Sequence, residues 1–385
     1  MISSRLSRIE ESATLKLTKV AEDLKAKGVK VFNFGIGEPD FTTPETIIES
    51  AFEWARRGKT HYTPSNGIRE LREAIADKLL KKNQIHTSAD NVLVSPTKFA
   101  IYLSLYVILE EGDGVILPDP YYSSYKDIIK LAGGKVLDAP LNLDYSLNFE
   151  LMQKMVSPRT KAIIFNNPSN PTGRVYTQKE VKELVDFAIK NNLIIISDEI
   201  YEDLIYEGSM YSPGSIEEAA NRVITINGFS KSYAMTGWRI GYLNASPDIA
   251  KAAAKVLGQT ITCVSSISQY GALQALRDEK DPVTFREKFR KRRDLVLKLF
   301  SEIDGYSTVK PEGAFYAFPQ YSGKMNSVQY SSGLLEKYQV IVTPGTAFGE
   351  MGEMHYRFSY AASEDEIKEG ISRIAKYDRE IQSNR

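Results

Sequence analysis

Lys231 lies in Ser230-Lys231-Ser232, a short polar turn after the β-branched run 223–226. A lysine beside a covered sheet loses solvation, its pKa falls, and the neutral amine becomes a nucleophile toward carbonyls. The competing role is the ordinary one, an ammonium snorkelling into water. Arg239 follows in Gly237-Trp238-Arg239-Ile240-Gly241-Tyr242. The chain is expected to turn near 235–237 and return as a strand through GWRIGYLNA, carrying Arg239 back beside Lys231. A fixed guanidinium fork next to a hydroxyl suits a phosphate; an arginine paired across a sheet is the structural alternative. Asp198 closely follows the apolar run 193–196, so its carboxylate sits at the edge of the core. There it needs a partner or its pKa rises; a helix N-cap or a structural ion pair would also account for it. Tyr201, three residues on, shares that site if 198–201 is a helical turn, and by itself reads as a core aromatic.

These side chains depend on the elements that hold them. Runs at 91–94, 115–117, 162–165, 193–196 and 223–226 are rich in β-branched residues and do not alternate with polar ones. That is the pattern of strands covered on both faces. Helical periods such as 178–190 (QKEVKELVDFAIK) lie between them. The rhythm predicts an α/β fold, a mainly parallel sheet covered by helices on both faces. After the five runs come Ser95-Pro96-Thr97-Lys98, PDPYYSSY, NNPSNPTG, SDEIYEDL and NGFSKSYAMTGWR. Ligands of open α/β sheets bind beyond the carboxyl ends of the strands. Five such loops on one rim therefore argue for a site rather than for ordinary loop polarity. Residues 13–27 read as an amphipathic helix (Leu15, Leu17, Val20, Ala21, Leu24) stopped by Gly28. From about 281 the character changes: a charged helix over 282–303, then GAFYAFP and YQVIVTPG, then an amphipathic helix at 364–374, a smaller α+β unit.

With 385 residues the chain is long enough for two domains and a large core. Lys plus Arg and Asp plus Glu both number 49, so the formal net charge is zero, without the electrostatic footprint of a general nucleic-acid binder. The single cysteine, Cys263, forms no internal disulfide and no Cys-rich zinc site. His61, His86 and His355 are far apart in sequence, with no HExxH spacing, which argues against a metal site. The N-terminal stretch has no apolar h-region, and no run approaches the ~18 apolar residues of a membrane span. The expectation is a soluble cytoplasmic protein with no nucleic-acid or membrane partner.

The stretch NGFSKSYAMTGWRIGY resembles the lysine signature of class I/II aminotransferases, pyridoxal 5′-phosphate (PLP) enzymes of fold type I. FGIGEPDFTTP, HYTPSNGIRELREAIA, PDPYYSSY, NNPSNPTG, SDEIYEDL, KPEGAFYAFP and HYRFSYA complete the resemblance in family order, over about 320 residues. GEPDF and AMTGWRIGY look most similar to the prokaryotic aspartate aminotransferase branch. The resemblance implies a PLP-binding domain over 46–285 and a small α+β domain built from 1–45 and 286–385. It implies that Lys231 binds the PLP aldehyde as a Schiff base and, once released, acts as general base and acid. Asp198 would pair with the pyridine nitrogen, Tyr201 and Asn170 with the phenolic oxygen, and Tyr122 would stack on the ring. Ser230, Arg239 and the backbone N–H groups of Thr97 and Lys98 would hold the phosphate. Arg357, with Asn170 and the backbone at Gly37, would clamp the substrate α-carboxylate. Tyr62 would reach the phosphate of a partner subunit, which implies a homodimer with shared sites.

The implied activity passes an amino group from an L-amino acid to a 2-oxo acid, with aspartate and 2-oxoglutarate the first choice. An aromatic or broad donor range, or a PLP C–S β-lyase or cyclopropane-forming synthase on the same fold, is the alternative. The cation that would read a side-chain carboxylate is not assigned by the sequence; Lys98 and arginines of unassigned placement are the candidates. Where some relatives carry a second hydroxyl and a glycine pair, this chain has Gly228 and Pro96-Thr97, and Tyr122 stands where parts of the aspartate branch have tryptophan. A nicotinamide enzyme is disfavoured, because Gly35-Ile36-Gly37 runs into Glu-Pro-Asp rather than a helix. An aminotransferase-like transcription regulator would need an added DNA-binding domain, and only roughly 30 residues precede the family-like stretch.

Overall fold

The structure, a computed structural model, describes residues 2, 4–9 and 13–383, without the side chains of 4, 5, 13–18 and 383. The helix expected at 13–27 spans Ala13–Ala26, but the side chains of Leu15 and Leu17 lie outside the described ones. Twelve strands are described: β1 (Phe32–Asn33), β2 (Val92–Val94), β3 (Gly114–Asp119), β4 (Lys135–Pro140), β5 (Thr160–Asn166), β6 (Ile194–Asp198), β7 (Val223–Gly228), β8 (Gly241–Asn244), β9 (Tyr316–Ala317), β10 (Val340–Ile341), β11 (Thr343–Pro344) and β12 (Tyr356–Ser359).

Seven of them form one sheet in the order β2-β8-β7-β6-β5-β3-β4. β7, β6, β5, β3 and β4 run parallel, and β8 is antiparallel to both its neighbours. All five expected strands form. They are mostly apolar, without alternation, because each face packs against its own helical layer. Along β5, Ala162 and Ile164 join one buried cluster while Ile163 and Phe165 join the other. Along β6 the same division puts Ile196 on one face and Ile195 on the other. The intervening helix is Gln178–Lys190, as its period predicted, and it opens on a capping box between Thr177 and Glu180.

Three details differ from the sequence reading. β4 was not anticipated: it is an edge strand with Lys135 and Asp138 exposed, so it lacks the two-sided apolar pattern. The GWRIGYLNA strand is shorter than expected. It begins only at Gly241, and Arg239 precedes it in the left-handed region at φ 56°. The final helix runs well past 374, over Glu364–Ser383, while the charged helix is Lys280–Ser301.

The remaining strands bring the two ends of the chain together. β1 pairs in parallel with β10, and β11-β12-β9 form an antiparallel sheet. Phe34 stacks on Phe358 at 4.3 Å between centroids, and both share one core cluster with Phe285, Phe300 and Tyr377. Among the described residues no helix is long and apolar enough to cross a membrane, and no group of three His, Cys, Asp or Glu is arranged to hold a metal.

Candidate active site

Parallel strands end on one edge, and here Asp119, Asn166, Asp198 and Gly228 are the last residues of β3, β5, β6 and β7. Beyond that edge a cavity of about 360 Å³ opens, walled on its far side by residues 36–38, Tyr316 of β9 and Arg357 of β12.

Asp198 is buried against the cavity floor. Tyr125 donates its O–H to Oδ2 at 2.6 Å, and the Ile200 N–H donates to Oδ1 at 3.3 Å. Burial pushes the carboxyl up to about 6, against those two donors and the nearby Lys231. Both hydrogen-bond donors are neutral, so this buried anion is suited to a cationic N–H delivered by a ligand.

Lys231 follows the end of β7, and its ammonium donates to the Gly37 carbonyl at 2.7 Å. Burial draws its pKa down to about 8; Glu38 and Asp198 oppose the fall, and Arg357 and Arg239 add to it. An amine so placed is neutral at moderately alkaline pH, as a carbonyl nucleophile or a proton carrier requires. Tyr201 is buried and shares a 2.8 Å hydrogen bond with the Tyr316 hydroxyl. Burial holds its pKa well above the phenolic range, so it remains a hydrogen-bond donor.

Arg357 is 2 % exposed and no carboxylate among the described residues pairs with it. Nη1 donates to Asn170 Oδ1 at 3.1 Å and Nη2 to the Gly35 carbonyl at 2.7 Å, while Nε has no partner. The guanidinium lies between the rings of Tyr316 and Phe348, at 4.5 and 4.9 Å from their centroids. A buried cation without a counter-ion is costly, and a substrate carboxylate would neutralise it through a bidentate fork.

At the opposite end, helix Thr97–Ile108 starts on the cavity wall, and no side chain caps it. Its N-terminus is an anion site by its free N–H groups and dipole. Thr97 Oγ1 is buried with no hydrogen-bond partner. Ser230 and Arg239 line the same cavity. A Cβ on Gly228 would come within 2.5 Å of Thr97 Oγ1. The Thr97 hydroxyl therefore fills the space that a second hydroxyl at 228 would need. Lys98 and Tyr122 also line the cavity, with the Lys98 ammonium 5.6 Å from the Tyr122 ring centroid.

Every residue singled out from the sequence lines this cavity except Tyr62, which is 87 % exposed and stands outside it. Sequence reading gave no role to Tyr125, one of several tyrosines placed near the site, and did not single out Tyr316, Asn166, Glu38 or Thr236; all five line the cavity. The Tyr122–Tyr125 spacing on one helical turn was the available signal for the first.

The family profile for aminotransferase class I and II matches residues 29–374. The chain belongs to the class I and II aminotransferases. It is 45 % identical to a probable aspartate/prephenate aminotransferase of Aquifex aeolicus, over 99 % of each chain. It is 38 % identical to an aromatic-amino-acid aminotransferase 2 of Thermococcus litoralis, over 97 % of each. The structure of aspartate aminotransferase from Thermus thermophilus with maleate superposes with a TM-score of 0.94 at 36 % identity, covering 98 % of this chain and 99 % of that one. The aminotransferase is thus a fold type I, PLP-dependent enzyme that moves an amino group between an amino acid and a 2-oxo acid. The cavity fits that cofactor on its own chemistry: an amine for an aldehyde, a buried acid for a ring nitrogen, and an unsatisfied hydroxyl at a helix N-terminus for a phosphate.

Proposed function

We propose that this aminotransferase takes aspartate as amino donor and 2-oxoglutarate as acceptor, with Lys231 holding the cofactor aldehyde. Bound there, PLP supplies an electron sink for the pair released when the substrate Cα loses its proton. Asp198 keeps the ring nitrogen protonated, which its buried carboxylate does best as an anion. The Lys231 amine carries the proton to and from the substrate Cα. Tyr201 and Asn170 would donate to the cofactor's ring hydroxyl oxygen, and Tyr122 would stack on its ring, a contact worth about 1 kcal/mol. Thr97 and Lys98 through their backbone N–H groups, with Ser230 and Arg239, bind the phosphate. Arg357 binds the α-carboxylate, next to Asn170 and the Gly37 backbone. The observation that carries this reading is the pair Asp198 and Lys231 in the walls of one cavity, the acid held by neutral donors and the amine lowered to about 8.

The substrate follows from the cations. Lys231, Arg239 and Arg357 are engaged by the roles above, which leaves Lys98 as the lining cation for a side-chain carboxylate. The tyrosines at 122 and 125 favour a second reading, an aromatic or broad donor range. The domain division at 46–285, with 1–45 and 286–385 together, belongs to the same proposal; the β1–β10 pairing supports it. So does a cytoplasmic homodimer with shared sites. The exposed Tyr62 and the aromatic row Phe99, Tyr102, Tyr106 on the helix that starts at the cavity support the dimer. A single cysteine, needing no oxidising compartment, fits the location. A panel of amino donors with 2-oxoglutarate tests the whole. Glutamate should form fastest from aspartate; pyruvate and ammonia without glutamate would indicate a lyase instead.

A further inference from the structure

Asp119 lies outside the roles assigned so far, yet its carboxylate is 2 % exposed at the end of β3. Its Oδ2 accepts the N–H groups of Glu350 and Met351, at 2.9 and 3.3 Å, and its Oδ1 has no partner. The loop it holds turns at Gly349, where φ is 119° and any Cβ would run into the Asp119 carboxylate. Two residues after Asp119, the Tyr121 N–H donates to the Phe348 carbonyl at 2.8 Å. Residues 119–121 therefore grip residues 348–351 through three hydrogen bonds. On one side of this grip the chain continues into Tyr122, in the cavity wall. On the other, the fully buried ring of Phe348 lies 4.9 Å from the Arg357 guanidinium.

We infer that Asp119 is a positioning residue for substrate binding: it fixes Phe348, and through Phe348 the plane of the Arg357 fork, relative to the wall that carries Tyr122. This rests on the reading of Arg357 as the α-carboxylate site. The physical reason is the lack of any anionic partner for Arg357. Its two donors meet Asn170 and the Gly35 carbonyl, so the fork's orientation depends on the two rings that enclose it. Tyr316 is fixed by the Tyr201 hydroxyl, whereas Phe348 makes no hydrogen bond through its side chain and is placed by an edge contact with Phe318 at 5.9 Å between centroids and by the loop that Asp119 holds. A bidentate carboxylate contact is sensitive to tilt, so releasing the loop weakens substrate binding before it affects the proton carrier at Lys231. Burial pushes the Asp119 carboxyl up to about 6, against the two backbone donors, so the grip carries a solvation cost that a surface turn would not.

The test uses the PLP-loaded enzyme and the variants Asp119→Ala, Asp119→Asn, Phe348→Leu and Arg357→Lys. Asp119→Ala and Phe348→Leu should each raise KM for the amino donor, and the Kd of the unreactive dicarboxylate succinate, by about tenfold, with kcat within about threefold of the parent. Asp119→Asn, which keeps an acceptor oxygen, should recover most of the loss. In the Arg357→Lys background, Asp119→Ala should add less than about twofold, since the fork it orients is gone. A KM unchanged in Asp119→Ala while Arg357→Lys raises it would overturn the inference alone. An Arg357→Lys enzyme with unchanged KM and succinate affinity would overturn the reading of Arg357 itself. Should Asp119→Ala fail to fold, Phe348→Leu decides: normal KM and succinate Kd in that variant count against the inference.

Discussion

The most direct test of the site concerns Lys231 before any cofactor is bound. An ordinary lysine titrates at 10.5, and Lys231 is drawn down to about 8, first by burial. At pH 7 about a tenth of the amine would be neutral, against about 0.03 % for an unperturbed lysine, a ratio of about 300. In cofactor-free protein, trace labelling with acetic anhydride, read by mass spectrometry on the peptide containing Lys231, should give a half-maximal rate near pH 8. The exposed Lys179 in the same tube provides the comparison. The sign of the neighbouring charges then supplies a second check. Glu38 raises the Lys231 pKa by stabilising the ammonium, so Glu38→Gln should move the midpoint down. Arg357 lowers it, so Arg357→Gln should move the midpoint up. A Lys231 midpoint at or above pH 10, or a Glu38→Gln midpoint that rises, would refute the claim that its surroundings lower the pKa of this amine.

Three further outcomes follow from the same geometry. Asp198→Asn replaces the anion by a neutral amide of the same shape, and kcat should fall by about a hundredfold or more with the melting temperature little changed. Lys98→Ser should raise KM for aspartate by about tenfold or more and change KM for phenylalanine by less than about threefold, as measured in the donor panel. Glu202 is buried, ion-paired with Lys78, and accepts from Asn83 Nδ2 at 2.7 Å. Glu202→Ala strands the Lys78 ammonium and should cost about 3–5 kcal/mol in urea unfolding. Burial alone would raise the Glu202 carboxyl, but Lys78 and Lys82 hold it at about 2, below the ordinary 4.5. Its contribution is therefore present in full above pH 4.5 and should fade as the pH drops toward 2, a loss that Glu202→Ala should not display.

The parts legible in the sequence are those in which one local feature carries the information. β5, β6 and β7 carry apolar, β-branched-rich stretches that do not alternate because both faces of the sheet are covered, and the residues after them reach the site because parallel strands end on one edge. Lys231, Asp198 and Asn170 were found on that rule and on the family motifs. What stayed hidden depends on partners distant in sequence. Tyr125 and a packing tyrosine look alike until Asp198, 73 positions away, is found opposite its hydroxyl. Tyr316 acquires its role from Tyr201, 115 positions away. β4 is hidden for the reverse reason: as an edge strand it carries charge where the inner strands carry isoleucine and valine. Arg239 was expected in a strand because its neighbours are strand-like, yet it takes a left-handed backbone. Its side chain serves the cavity, and no propensity scale registers that demand. Asp119 belongs with these. Read alone in PDPYYSSY it is a turn aspartate; only the closing of the chain's last third onto the sheet gives it two backbone donors and a ring to hold beside Arg357, a buried arginine that no acid among the described residues pairs with. The groups that escape a one-dimensional reading are thus the ones that join the two ends of the chain to its middle, and in an enzyme whose cavity is walled by both, those joints set the geometry of binding.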